Sequence, residues 1–185
     1  EQLVSSSNFT EINHIRYSEK GEKIAFLASA DTAKIKKYAL YLIENNTIRM
    51  CLDTLQLHFP KEKKLSNKRK LEFSENGTRI FLGLEKIEKT TEKDTLLESE
   101  KARVDLWHWQ DKRLQPQQLL EKKSDEKKTD LAYYDLKKEK LIFLASDSLE
   151  VQLEDHGNSD FALAVANGLY QASYNWDYPY KEDFY

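Results

Sequence analysis

Short apolar runs separated by polar turns dominate the chain, and their composition favours β-strands over helices. The runs at residues 24–28, 80–84 and 161–165 are apolar at almost every position. Such runs are typical of strands that are buried on both faces, whereas a strand with one solvated face alternates apolar and polar residues. They are rich in Ile, Val and Phe, which strands favour. The pattern therefore predicts an all-β protein.

One hairpin pattern occurs twice in clear form and a third time in looser form. Residues 15–26 (IRYSEKGEKIAF) and 71–82 (LEFSENGTRIFL) each place an aromatic residue before Ser-Glu-x-Gly and an isoleucine three positions after the glycine. Gly21 and Gly77 can supply the positive φ that a tight turn requires. Residues 151–165 repeat the pattern around Gly157 with a turn one residue longer.

A second hairpin pattern alternates with the first, at residues 38–52 and 131–144. Each copy has a tyrosine, Tyr41 or Tyr134, seven positions before an apolar residue of the returning strand, Ile48 or Leu141. Two successive hairpins make a four-stranded antiparallel meander, and a repeated meander of this kind is the blade of a β-propeller. A β-sandwich would show cleaner alternation of apolar and polar residues.

The repeats predict a β-propeller segment of about two complete blades and part of a third. We place the blades at residues 9–55, 68–146 and 149–185. The second blade carries a long insertion at residues 85–130, in which residues 104–120 predict an extra strand followed by an irregular or short helical segment around Pro116. Such an insertion projects over one face of a propeller, where loops carry function.

Composition excludes several classes of partner. The net charge is −3, with Lys and Glu intermixed, so we predict no nucleic-acid partner. The basic stretch at residues 61–70 is expected to be a solvated loop. The single cysteine, Cys51, excludes an intrachain disulfide and lies in an apolar run, where a buried side chain is expected. No run is long and apolar enough to predict a membrane span.

Catalytic and metal-binding motifs are not recognisable in the sequence. The closest approach to a Gly-x-Ser-x-Gly nucleophile elbow is residues 157–161 (GNSDF), which Phe161 breaks. The four histidines are scattered, and turn hydrogen bonding explains the acidic residues near Gly157 more simply than a calcium site does. We therefore predict no catalytic residues, no metal and no cofactor.

Four aromatic residues are the candidates for ligand binding. Trp107 and Trp109 lie two positions apart and would share one face of an extended strand. They either form an aromatic wall for a ligand or pack the insertion against its blade, and packing is the more common role of large aromatics. Trp176 and Tyr178, next to Pro179, predict a rigid aromatic loop at a domain interface or cavity rim.

Several segments together resemble one protein family. These are the Ser-x-x-Gly-x-x-Ile turn and the segments VDLWHWQD (104–111), LAYYDLKKEKL (131–141) and YNWDYPYKEDFY (174–185). Over residues 9–185 the chain resembles the N-terminal β-propeller of Bacteroidetes-type serine peptidases of the prolyl oligopeptidase family. The resemblance implies an α/β-hydrolase catalytic domain elsewhere in the same parent chain, a peptide substrate, and a periplasmic or secreted location.

Two functions remain open at this point. The chain is either a non-catalytic segment that gates and positions substrate for such a peptidase, or a stand-alone binding propeller that resembles periplasmic translocation proteins. A Gly-x-Ser-x-Gly elbow downstream would favour the peptidase. In both cases an open set of blades exposes strand edges and apolar faces, so the isolated segment is expected to form homo-oligomers.

Overall fold

The computed structural model describes residues 9–33, 36–54, 59–87, 108 and 110–185, and this part of the chain is mostly β-structure. Every strand pair in it is antiparallel, which confirms the predicted all-β class. The strands are β1 (Glu11–Tyr17), β2 (Lys23–Ser29), β3 (Ala39–Glu44), β4 (Thr47–Leu52), β5 (Lys63–Leu65), β6 (Glu72–Phe73), β7 (Arg79–Lys86), β8 (Asp130–Asp135), β9 (Lys140–Ala145), β10 (Glu150–Leu153), β11 (Ala162–Ala166) and β12 (Asp183–Phe184). The helices are α1 (Gln115–Asp125) and two 3-10 turns, Asp155–Gly157 and Gln171–Asn175.

The strands form three sheets that follow one another along the chain. Sheet 1 is the meander β1-β2-β3-β4, sheet 2 contains β5 to β9, and sheet 3 is β10-β11-β12. In sheet 2 both β5 and β6 pair with β7, at opposite ends of that strand. Together they occupy the position that β1 has in sheet 1. Sheets 1 and 2 are thus the two predicted four-stranded meanders.

The sequence predicted a solvated loop for the basic stretch at residues 61–70. This prediction was wrong, because the stretch contains β5. Leu65 pairs with Leu84 and is buried. Lys64 and Lys68 both form ion pairs with Glu85. β5 begins at Lys63, and it therefore precedes residue 68, where the second blade was predicted to begin. The charge pattern led to the wrong prediction of a solvated loop, because neighbouring carboxylates neutralise these lysines.

All three turn glycines adopt the left-handed conformation predicted for them. The φ angles are 70° at Gly21, 64° at Gly77 and 80° at Gly157. Each glycine N–H donates to the carbonyl three residues earlier, at 2.8, 2.8 and 3.0 Å respectively. The looser third copy therefore makes the same turn, although there it forms part of a 3-10 helix.

The second hairpins repeat with a register different from the one predicted. Tyr134 pairs directly with Leu141, whereas Tyr41 pairs with Met50 and Ile43 pairs with Ile48. Tyr134 therefore corresponds to Ile43, and aligning it with Tyr41 was wrong by two residues. The cause is turn length: Asn45 and Asn46 form a two-residue turn, both with positive φ, whereas the second turn occupies residues 136–139.

The sheets stack in chain order, with sheet 2 in the middle. Its Ile80, Leu82 and Leu84 are fully buried against sheet 1, in one cluster with Leu27, Leu40 and Leu42. Phe81 points to the opposite face, where it contacts the turn at Gly157. A Cβ on Gly157 would lie only 2.6 Å from Phe81 Cε2, so only a glycine allows this close approach. Alternate residues of β7 thus pack against two different sheets.

Strand β11 departs from the pattern expected of its apolar sequence. β2 and β7 are buried along most of their lengths, but β11 is only partly buried, and Phe161, just before it, is 83% exposed. Both faces of β2 and β7 lie against other groups, whereas no fourth sheet covers sheet 3 within the described residues. An apolar run alone does not distinguish a strand that is covered on both faces from one that is partly exposed.

The same inter-sheet hydrogen bond joins consecutive sheets, and we call it the latch. Lys23, two residues after Gly21, donates from Nζ to the carbonyl of Gly77 at 3.0 Å. Arg79, two residues after Gly77, donates from Nη1 to the carbonyl of Gly157 at 3.3 Å. Each basic side chain thus reaches the turn glycine of the next sheet. At the corresponding position after Gly157 the chain has Ser159.

Arg79 makes the more extensive latch. Its Nη1 also donates to the carbonyls of Asn158 at 3.3 Å and Ser159 at 2.5 Å. Its Nη2 lies 2.6 Å from Asp160 Oδ1, and its guanidinium lies over the ring of Tyr133 at 5.3 Å. Only 17% of the side chain is exposed, so water cannot readily replace these bonds.

Replacement of Arg79 by methionine should weaken the attachment of sheet 3. Three turn carbonyls would lose their donor in a poorly hydrated site, so we expect a loss of about 2 kcal/mol in the free energy of unfolding. Urea unfolding monitored by circular dichroism measures the change. The matched control is Arg49→Met, since among the described residues Arg49 forms an ion pair with the exposed Glu139 alone, and such pairs contribute about 0–1 kcal/mol. Equal losses in the two variants would contradict the latch.

A polar network around Glu11 joins sheet 1 to the irregular part of sheet 2. The Glu11 carboxylate accepts hydrogen bonds from Lys36 at 2.6 Å, Asn13 at 2.7 Å and Tyr38 at 3.0 Å. Asn67, which lies between β5 and β6, donates to the Tyr38 hydroxyl at 3.2 Å. Lys36 first, and then Asn13 and Tyr38, lower the pKa of Glu11 from 4.5 to about 2.

The lowered pKa of Glu11 predicts a specific acid sensitivity. A carboxyl whose folded-state pKa is below its unfolded value stabilises the protein above the unfolded pKa, and this contribution is lost as the pH falls towards the folded value. We expect the urea midpoint of the wild type to fall more between about pH 5 and about pH 2 than that of Glu11→Gln. Parallel pH profiles for the two proteins would show that Glu11 makes no such contribution.

Candidate ligand-binding cleft

At the end of β7 opposite to Arg79, sheet 2 has a glycine where sheet 1 has a leucine. Gly83 pairs with Leu131 in sheet 2, and Leu27 pairs with Leu40 at the equivalent position of sheet 1. The Leu27 side chain fills the space between sheets 1 and 2. Gly83 contributes no side chain to the corresponding space between sheets 2 and 3. The latch thus holds these two sheets together at one end, and the other end is open.

Other segments enter the space that Gly83 provides. A Cβ on Gly83 would lie 2.7 Å from Arg69 Cβ and 2.8 Å from Thr129 Oγ1. The segment between β5 and β6 and the segment before β8 therefore meet over this glycine. These two segments form one wall of the opening.

The opening is a cleft of about 870 Å³. Its walls come from sheet 2, from the start of β10 and the end of β11, from α1 and from the second 3-10 turn. The lining residues are Lys68, Arg69, Lys70, Glu72, Arg113, Gln117, Glu121, Lys127, Lys128, Thr129, Leu131, Asp147, Ser148, Leu149, Glu150, Val151, Val165, Asn167, Gln171 and Tyr174.

Helix α1 brings the predicted insertion to the cleft. Pro116 lies in its first turn and Lys122 and Lys123 in its last, which is the arrangement that a helix favours, and it confirms the short helical segment predicted around Pro116. No residue of α1 is buried, so hydrogen bonds rather than packing hold it. Arg113 bonds Glu121 at 2.5 Å and Asp125 at 2.7 Å. Arg113, and then Lys128, lower the pKa of Asp125.

The charges that line the cleft are only partly compensated. Lys68, Arg113 and Lys128 have acidic partners. Arg69, Lys70 and Lys127 have none within the part of the chain that the structure describes, and Arg69 is half-buried. The carboxylates of Glu72, Asp147 and Glu150 form no ion pair with any described residue either. The cleft therefore presents both signs of charge to a ligand.

An aromatic rim borders the cleft, and it contains the candidates from the C-terminal segment. Tyr174 lines the cleft and contacts the ring of Tyr180, with the centroids 4.5 Å apart. Tyr180 in turn contacts Tyr178 edge to face at 6.0 Å. Trp176 is 77% exposed and Tyr178 86% exposed, so neither ring is a buried packing anchor. Their exposure leaves both rings available to a ligand or a neighbouring domain.

The four aromatic residues predicted as candidates for ligand binding differ in where they lie relative to the cleft. Trp176 and Tyr178 lie in the segment that forms the rim, although only Tyr174 of that segment lines the cleft itself. Trp107, Trp109 and residues 104–107, where the predicted extra strand would begin, lie outside the described residues. Sequence reasoning missed Arg69, Lys127 and Gly83. The signal for Gly83 was present, because the repeat alignment places it opposite Leu27.

The other candidates for chemistry have structural roles. Ser159 lies in the third turn, where its carbonyl accepts the Arg79 latch and its hydroxyl accepts from the Phe161 N–H at 3.1 Å. Asn158 bonds Glu75 and the N–H of Asn76. Cys51 is buried, as predicted, and burial raises the pKa of its thiol to about 11. In the described ranges, no three side chains of His, Cys, Asp or Glu are grouped to hold a metal.

Comparison with known proteins does not place the chain in a family. No family model matches it, and no curated protein sequence is significantly similar to it. Among the described residues, no helix combines the length and apolar character needed to cross a membrane.

Proposed function

We propose that the chain is a non-catalytic β-propeller segment that gates and positions peptide substrates for a prolyl oligopeptidase-like serine peptidase, whose hydrolase domain lies outside these 185 residues. The observation that carries this proposal is the repeated stacking of sheets through one latch, which leaves a charged cleft with an aromatic rim between two of them. Propellers in this role bind and admit substrate, and the hydrolase domain performs the chemistry.

The faces of the sheets support the propeller arrangement. Sheet 2 packs against sheet 1 with Ile80, Leu82 and Leu84, and the equivalent residues of sheet 1 are Ile24, Phe26 and Ala28 on its outer face. Ile12 and Met50, on the outer strands of sheet 1, are 40% and 50% exposed. A further sheet packed there would repeat the contact between sheets 1 and 2. Repetition of one sheet-to-sheet contact is how a propeller is built.

The location of the cleft supports substrate positioning over a purely structural role. It lies at one end of the stacked sheets, where the long connection between β7 and β8 adds α1 to its wall. Insertions on one face of a repeat scaffold commonly carry its binding function. The parent enzyme's α/β-hydrolase domain and its peptide substrate are the partners that this role requires, together with a periplasmic or secreted location.

A stand-alone binding or scaffold propeller is the second candidate. The exposed rings of Trp176, Tyr178 and Phe184 favour it, because large exposed aromatics are typical of protein–protein interfaces. Such a protein would use the cleft and rim to hold a partner and would have no hydrolase domain. The two candidates differ in whether the parent protein carries a serine nucleophile.

Labelling with a fluorophosphonate probe distinguishes the candidates. The probe reacts covalently with activated serine nucleophiles, so we expect the full-length parent protein to be labelled and the isolated 185-residue chain to remain unlabelled. Replacing the serine of the parent's Gly-x-Ser-x-Gly motif by alanine should abolish labelling. A folded parent protein that is never labelled, and that has no such motif, would overturn the peptidase proposal in favour of the scaffold.

A further inference from the structure

We propose that the cleft binds a peptide by its free C-terminal carboxylate, an inference that rests on the proposed role in positioning peptides. The cleft is lined by three cationic groups, Arg69, Lys70 and Lys127, that have no acidic partner among the described residues. Cations in a concave site with low-dielectric walls attract an anion more strongly than the same cations on a flat surface.

The cations come from two segments that meet at one point. Arg69 and Thr129 both contact Gly83, and Lys127 is only two residues before Thr129. Because both segments line the cleft, a ligand carboxylate against this wall is within reach of side chains from each of them. Arg69 is the central group, because it is half-buried and its planar guanidinium can donate two parallel hydrogen bonds to a carboxylate.

The remaining lining selects a single carboxylate over a polyanion. Glu72, Asp147 and Glu150 border the same cleft without ionic partners in the described residues, so a nucleic acid or polyphosphate would bring several negative charges towards them. One carboxylate can occupy the cationic wall and avoid them. The chemistry that fits is one negative charge at the end of an otherwise neutral chain.

The uncharged lining indicates what accompanies the carboxylate. Leu131, Val151 and Val165 provide apolar surface inside the cleft, and Tyr174 adds an aromatic ring at the rim. The volume of about 870 Å³ is within the range of small-ligand sites and accommodates the last few residues of a peptide. An apolar C-terminal residue would place its side chain on this surface while its carboxylate meets Arg69.

The direct test compares two peptides that differ only at the C-terminus. Both are uncharged-side-chain pentapeptides that end in leucine and carry an uncharged BODIPY fluorophore on the N-terminus, one with a free C-terminal carboxylate and the other with a C-terminal amide. Binding to the 185-residue chain is measured by fluorescence anisotropy at constant ionic strength. We expect the carboxylate peptide to bind at least about tenfold more tightly, since only it can pair a negative charge with Arg69 through two parallel hydrogen bonds.

Charge-neutralising variants locate the binding site. Arg69→Gln and Lys127→Gln should each weaken binding of the carboxylate peptide about fivefold or more and leave binding of the amide unchanged. Lys123→Gln is the matched control, because Lys123 is exposed on α1 and does not line the cleft. Circular dichroism verifies that each variant is folded. If Arg69→Gln fails to fold, Lys127→Gln alone decides.

Several results would overturn the proposal. Equal affinity for the two peptides, no binding of either peptide to the folded chain, or equal effects of Lys123→Gln and Lys127→Gln would each do so. Displacement of the carboxylate peptide by inorganic pyrophosphate at micromolar concentration would instead identify a polyphosphate site. Fluorophosphonate labelling of the parent does not depend on this cleft, so a failure here and a failure of the peptidase proposal are distinguishable.

Discussion

The hydrogen bond between a basic side chain and the turn glycine of the next sheet sets the arrangement of this molecule. Gly21, Gly77 and Gly157 share one left-handed turn, and Lys23 and Arg79 each extend from one turn to the carbonyl of the following one. This bond fixes where each sheet begins relative to its neighbour. The apolar contacts that follow, with Leu82 packed against sheet 1 and Phe81 against the third turn, require that registration.

The cleft follows from the same repetition and from a single departure from it. Where Leu27 fills the space between sheets 1 and 2, Gly83 contributes no side chain to the matching space between sheets 2 and 3, and Arg69 and Thr129 occupy the position that its Cβ would take. The latch at Arg79 keeps sheets 2 and 3 in contact, so the opening remains a bounded cleft and does not become a gap. Helix α1 and the aromatic rim then enclose it with charged and ring-bearing side chains. A scaffold contact and a binding site thus share one sheet interface.

Local turn chemistry made much of this fold predictable, and long-range packing made the rest unpredictable. The glycine turns, the antiparallel meanders and the helical segment at Pro116 all follow from residues close together in the sequence. The register of β8 was misjudged because equal spacing of Tyr41 and Tyr134 concealed turns of different length. The cleft residues Arg69 and Lys127 looked like ordinary surface charges. Only the fold shows that Arg69 and Lys127 line one cleft and that the neighbouring lysines are neutralised by Glu85 and Asp125.

We propose that these sheets are consecutive units of a larger stack, in which the outer face of sheet 1 and the edge of sheet 3 are covered. The most direct measurement is the molar mass of the isolated chain by light scattering over a wide concentration range. We expect the isolated chain to associate reversibly beyond the monomer, because Ile12, Met50 and Phe184 leave apolar surface exposed on both outer sheets. A chain that stays monomeric at every concentration, and binds no hydrophobic dye, would contradict it.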